Sequence, residues 1–235
     1  MTGDQANPFP YNIPSSEDYG ALSAATQAQQ MQVMPVTFED IPTWRIPIST
    51  FCPDQNIPPK SELQATTMKN LFLDHATTKH TNSIHIYTDG SKSDDAVGCA
   101  ATTDTTIISR RLSPNASINT AELSGVLCAL VLIDDHPERN FTIFIDSKSV
   151  VQALRTYNSK HTIIFEILAW LLRLVEAGKT ISICWVPGHV GVRGNDRADE
   201  AAVGASSSDA TIYREDVPCH DHYPRIRTSV YHMWR

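Results

Sequence analysis

Hydrophobic positions in the first 80 residues recur with no sustained period of 2 or 3.6. Only Glu62 to His75, with Leu63, Met68, Leu71 and Phe72 apolar, predicts a short helix there. From Ile84 the texture changes. Ile84 and Ile86 alternate with His85 and Tyr87, a strand pattern that runs into the turn signal Thr88-Asp89-Gly90-Ser91. A first strand is therefore expected to deliver Asp89 at its C-terminal end. The β-prone runs Val97 to Thr103 and Thr106 to Arg111 are close enough in sequence to be successive antiparallel strands. Leu123, Val126, Leu127, Leu130 and Val131 then fall at i, i+3, i+4, i+7 and i+8, one face of a helix. Asn119 is its expected cap, with Glu122 in the first turn.

Phe141, Ile143 and Ile145 alternate into Asp146, a second strand ending in an acid. A short helix is predicted after Ser147, and a stronger one where Ile164, Ile167, Leu168, Leu171, Leu172 and Val175 recur at helical spacing up to Gly178. Ile181, Ile183 and Trp185 make the last strand, ended by Pro187-Gly188. Asn195 is expected to cap a final helix whose small residues Ala198, Ala201 and Ala202 let it lie close on a sheet. The order is β-β-β-α-β-α-α-β-α, an α/β fold with a mixed five-stranded sheet flanked by helices. Strand–helix–strand passages favour parallel pairing, so the strands ending in Asp89 and Asp146 should lie side by side. Their carboxylates would leave the sheet at one edge, where open α/β sheets bind ligands.

Composition divides the chain around this pattern. Residues 1–82, rich in Pro, Gln, Ser and Thr, read as mostly disordered. Residues 83–204 hold the folded domain, and residues 205–235 form a linker and an amphipathic segment with Ile226, Val230, Met233 and Trp234 on one face. The longest apolar run, Val126 to Ile133, has eight residues, against the ~20 that span a bilayer. Met1 to Pro14 has neither the basic nor the apolar region of a signal peptide. No membrane association and an intracellular address, nuclear or cytoplasmic, are expected. The five cysteines are scattered and never spaced CxxC, so neither a disulfide framework nor a zinc site is expected, and they read as reduced, mostly buried thiols.

The net charge of -7 departs from the basic footprint usual for nucleic-acid proteins. Residues 81–205 hold 11 Lys/Arg against 14 Asp/Glu, however, and four of those acids are candidates for metal binding. Without them the segment is close to neutral, which predicts modest affinity for nucleic acid.

Singly, each acid has an ordinary reading: Asp89 as a turn residue, Glu122 as a capping partner, Asp146 as a helix start, Asp199 as a solvated first-turn acid. Together, Tyr87-Thr88-Asp89-Gly90-Ser91, Asn119-Thr120-Ala121-Glu122-Leu123, Ile145-Asp146-Ser147 and Trp185-Val186-Pro187-Gly188-His189-Val190-Gly191, with Asn195 to Ala202, resemble the four signatures of type 1 ribonuclease H, in order and over about half the chain. The style further resembles the ribonuclease H region of non-LTR retrotransposon polyproteins, in which a proline-rich stretch precedes the domain and a Pro…Asp…Trp segment follows it, as Pro218, Asp221 and Trp234 do here.

The resemblance implies a ribonuclease H-like fold that cuts the RNA strand of RNA/DNA hybrids endonucleolytically, leaving 5′-phosphate and 3′-hydroxyl ends. It implies that Asp89, Glu122, Asp146 and Asp199 ligate two Mg²⁺ ions, with Mn²⁺ as the alternative, and carboxylates without a Cys/His set suit such hard cations. It gives the loop residue His189 a part in proton transfer or product release. Asn119 would read the hybrid's minor groove, Ser117 a DNA phosphate, and Ser91 a further substrate contact. Ile118 stands where relatives carry a polar residue. The chain reads as a monomeric fragment or repurposed piece of such an element, with a reverse transcriptase-like neighbour as its expected partner. A decayed copy that binds without cutting and a DNA nuclease of the same fold are the competing readings. The intact acids oppose the first; Asn119 and the Trp-Val-Pro-Gly-His run oppose the second.

Overall fold

A computed structural model describes residues 33–34, 41–47, 50–52, 62–156, 161–207 and 209–234, all within one unit, Val33–Arg235. The Pro/Gln-rich stretch at the start of the chain, read above as disordered, lies outside the described residues up to Gln32.

The elements are α1 (Ala65–Lys79), β1 (Ile84–Lys92), β2 (Val97–Thr102), β3 (Ile107–Leu112), α2 (Ile118–Asp135), β4 (Asn140–Ile145), α3 (Lys148–Arg155), α4 (Thr162–Glu176), β5 (Thr180–Trp185), α5 (Arg193–Ser206) and α6 (Cys219–Met233). The five strands form one mixed sheet in the order β3-β2-β1-β4-β5. β1, β2 and β3 are antiparallel neighbours. β1–β4 and β4–β5 are parallel, as the intervening helices require.

Period-2 alternation sorts the strand residues between two cores. Ile143 and Ile145 of β4 and Ile181 and Ile183 of β5 face the larger one, built with Leu123, Val126 and Leu130 of α2 and Ile163, Ile167 and Leu171 of α4. Phe144 and Cys184 face the opposite way, against Phe72 and Ala76 of α1. The Phe144 ring meets Phe72 edge-on and Tyr87 nearly stacked, each at 5.1 Å between centroids. α5 lies on this second face over β2 and β1, with Ala198, Ala202 and Ala205 buried and Ala201 at the margin. Sheet and helices thus form three layers.

Several boundaries differ from the sequence reading. β1 does not turn at Asp89-Gly90 but continues to Lys92, because β2 pairs with it throughout, from Tyr87↔Thr102 to Lys92↔Val97. α2 is capped by Ser117, whose Oγ accepts from Thr120 N at 3.1 Å, so Asn119 lies inside the first turn and Glu122 in the second. α5 starts at Arg193, two residues before Asn195, since Gly194 must lie against the Tyr87 ring, and Asn195 is buried within the helix rather than capping it.

The cysteine reading is corrected as well. Cys52 and Cys184 are joined as a disulfide across 132 positions, while Cys99 and Cys128 are buried free thiols and Cys219 is half-buried and free. The pairing is tertiary: Cys52 N donates to Ile183 O at 2.9 Å, laying residues 50–52 beside β5. The helix predicted at 62–75 is α1, displaced toward the C-terminus. The C-terminal helix exists, but Ile226, Val230 and Trp234 are exposed, and it is held by its start, where Asp221 Oδ2 accepts from Ser117 N at 2.9 Å. No helix among the described residues is long and apolar enough to cross a membrane.

Candidate active site

The parallel ladder between β1 and β4 ends at Thr88↔Ile145. The next residue on each strand is an acid, so Asp89 and Asp146 leave the sheet as neighbours where backbone pairing stops. Glu122 reaches them from α2 because β1 runs hard against that helix. A Cβ on Gly90 would lie 2.4 Å from Glu122 N and 2.6 Å from the Ala121 carbonyl carbon, so no side chain larger than hydrogen fits. One oxygen each from Asp89, Glu122 and Asp146 lies within 4.8 Å of the others. Asp199, from α5 on the other face, stands outside this group of three but close enough for its charge to act on the Asp89 carboxyl.

Such crowding must be relieved by protons or cations. Burial first, then the Asp146 and Asp199 charges, push Asp89 up to about 8. Glu122 is pushed up to about 9, again by burial and then by Asp89 and Asp146. Glu122 Oε2 is buried without a hydrogen-bond partner, a costly state for a carboxylate oxygen unless something positive faces it. An all-oxygen, anionic donor set with an orphaned oxygen fits hard divalent cations such as Mg²⁺ or Mn²⁺. Asp89, Glu122 and Asp146 are the residues grouped closely enough to hold such an ion.

The motif around Trp185 supports this cluster. Trp185 Nε1 donates to the Asp146 carbonyl at 2.9 Å, and Val186 N donates to Ile145 O at 2.9 Å, fixing the strand end that carries Asp146. A Cβ on Gly188 would stand 2.5 Å from Asp146 Oδ2, so the backbone here walls the carboxylate. These contacts join residues about 40 positions apart and had no signal in the sequence beyond the Trp-Val-Pro-Gly run. His189 is exposed in the following loop with φ 56°, and Gly191 also has positive φ, at 82°.

Ser91 lies two residues beyond Asp89 on β1. Ser117 and Asn119 lie at the N-terminal end of α2, the end that carries Glu122. Asn119 is half-buried and Ile118 is 47% exposed beside it. The Ser117 hydroxyl is engaged in the cap and its backbone N–H is taken by Asp221.

An RNase H family model matches residues 81–207, more than half of the chain. No curated protein matches it significantly. Fold order, acidic site and family match agree, and the chain belongs to the RNase H family, metal-dependent endonucleases that bind RNA/DNA hybrids and hydrolyse their RNA strand.

Proposed function

We propose that the chain cuts phosphodiesters within the RNA strand by a two-metal-ion reaction with Mg²⁺ as its working ion, releasing 5′-phosphate and 3′-hydroxyl ends. The observation that carries this reading is the convergence of Asp89, Glu122 and Asp146 within 4.8 Å around the orphaned Glu122 Oε2. When bound, two divalent cations supply Lewis acidity at the attacking water and at the leaving oxygen of an in-line displacement.

The side chains have separate tasks on this reading. Asp89 and Asp146, side by side at the ladder end, would hold the ions, with Glu122 and Asp199 completing the ligand set, Glu122 for the ion that would assist the leaving oxygen and Asp199 for the one that would activate water. His189, exposed in its loop, carries a proton or helps release product. Asn119, Ser117 and Ser91 contact the hybrid, supported by their position beside Asp89 and Glu122. Of these, Asn119 is the principal reader, since the Ser117 hydroxyl already caps α2. The catalytic domain is residues 83–204. The signature order and the Pro218…Asp221…Trp234 tail support an origin in a non-LTR retroelement, with a monomeric chain and a reverse transcriptase-like neighbour.

The test offers end-labelled RNA/DNA hybrid, single-stranded RNA, duplex RNA and duplex DNA with Mg²⁺ or Mn²⁺, and analyses the product ends. Internal cuts confined to the RNA of the hybrid, with 5′-phosphates, are expected. Equal cutting of duplex DNA, 3′-phosphate ends, or no cutting with either ion would overturn the proposal.

A further inference from the structure

A second group of donors, unused by the acidic site, meets at strand β5. Cys52 is laid beside the strand by its backbone bond to Ile183 O. Cys184 is the next residue of β5, and His80 is the C-cap of α1. Cys52 Sγ, His80 Nε2 and Cys184 Sγ lie within 4.8 Å of one another. Nε2 is 3.5 Å from Cys184 Sγ and 3.9 Å from Cys52 Sγ.

The surrounding hydrogen bonds fix which ring nitrogen carries the proton. Ser83 Oγ donates to the His80 carbonyl at 2.9 Å, which uses its only hydroxyl hydrogen. In the 2.7 Å contact between Ser83 and Thr142, the Thr142 hydroxyl must then donate. Its oxygen can only accept in the 3.2 Å contact with His80 Nδ1. The imidazole proton is therefore on Nδ1, and Nε2 turns a bare lone pair toward the two sulfurs. A sulfur in a disulfide has no proton to offer that lone pair. Holding one ring nitrogen by an outer hydrogen bond so that the other faces a cation is how metal sites orient histidine. Two thiolates and a neutral imidazole are the donor set that zinc prefers.

We propose that, with its thiols reduced, the chain binds one Zn²⁺ through Cys52, His80 and Cys184, with water in the fourth position. Cys52 and His80 are half-buried, so water can reach the ion. Two thiol protons leave as the two sulfur–zinc bonds form, and no electrons are transferred. The disulfide is the alternative fate of the same sulfur pair, and the two states exclude each other. Zinc would staple residues 50–52 and the end of α1 to β5, one residue before the tryptophan that holds the Asp146 carbonyl.

The full chain, purified under reducing conditions without chelator, is assayed for zinc by elemental analysis and refilled with Co²⁺. One zinc per chain is expected in wild type, Cys219→Ser and Asp146→Asn, the last separating this site from the acidic one. Co²⁺ should give tetrahedral d–d bands and sulfur-to-cobalt charge transfer. Cys52→Ser/Cys184→Ser, checked for folding by circular dichroism, should bind none. Thr142→Val, which keeps all three ligands, should weaken zinc by about 10-fold or more. Wild type reduced until a thiol count gives five free cysteines, and still without zinc, overturns the proposal, as does equal zinc in the double variant. Because wild-type Co²⁺ spectra decide the question alone, an unfolded variant does not shelter it.

Discussion

At the scale of single residues, the acidic site trades stability for metal affinity. Asp89 and Glu122 are held near 8 and 9, far above the ~4 of exposed carboxyls. Between those values the folded chain keeps protons that the unfolded chain has shed, so this contribution to stability is full at low pH and is lost as pH rises through 8 to 9. Melting temperature in a chelator should therefore fall between pH 5 and pH 9, and saturating Mg²⁺ should flatten or reverse the slope. A chelated protein whose melting temperature rises across that range would count against the buried pair. Asp146→Asn removes one of the charges raising both groups while keeping the side chain's shape. The metal-free variant should melt no lower than wild type, gain less from Mg²⁺, and lose at least about two orders of magnitude in hybrid cleavage. Parallel melts and cleavage rates check both halves. Near wild-type cutting would make Asp146 a helix-start residue only. Gly188→Ala places a methyl against Asp146 Oδ2 and is expected to reduce cleavage more than stability.

At the scale of elements, α1 precedes the proposed catalytic boundary at residue 83 yet buries Phe72 completely against Phe144. Truncating a buried phenylalanine typically costs about 3–5 kcal/mol. Phe72→Ala should lower unfolding free energy in urea by that order, whereas a loss under ~1 kcal/mol would mean that α1 is an appendage. The start of α2 poses a finer question. Ser117→Ala deletes its side-chain cap and should cost about 0.5–2 kcal/mol. Asp221→Ala frees the Ser117 N–H and releases the start of α6, so it should loosen residues 218–234 in hydrogen exchange before it affects the sheet.

At the scale of the whole molecule, charge limits what the chain can do alone. A net charge of -7 leaves no general attraction for a polyanion, so hybrid affinity measured with the Asp146→Asn variant should fall with salt on a shallow slope, fewer than about six phosphates' worth. A steeper slope would reveal a basic surface that the charge distribution hides. The sequence by itself determined what local periodicity encodes. The alternation at Ile84 to Tyr87 and Phe141 to Ile145 and the 3.6-residue repeats of α2 and α4 were legible because each needs only neighbours along the chain, whereas Asp89, Glu122, Asp146 and Asp199 stood out as a set only through the family resemblance of the signatures around them. Residues in contact across the fold were not legible. Which residue caps α2 depends on Asp221 fixing Ser117, how far β1 extends depends on β2 pairing beyond Asp89, and Asn195 lies inside a helix whose preceding residue, Gly194, packs directly on the Tyr87 ring. Cys52 meets His80 and Cys184 only because residues 50–52 lie down on β5. Tertiary structure decided these points because each is a contact between segments tens of residues apart, set by packing and hydrogen-bond satisfaction rather than by the periodicity of either segment.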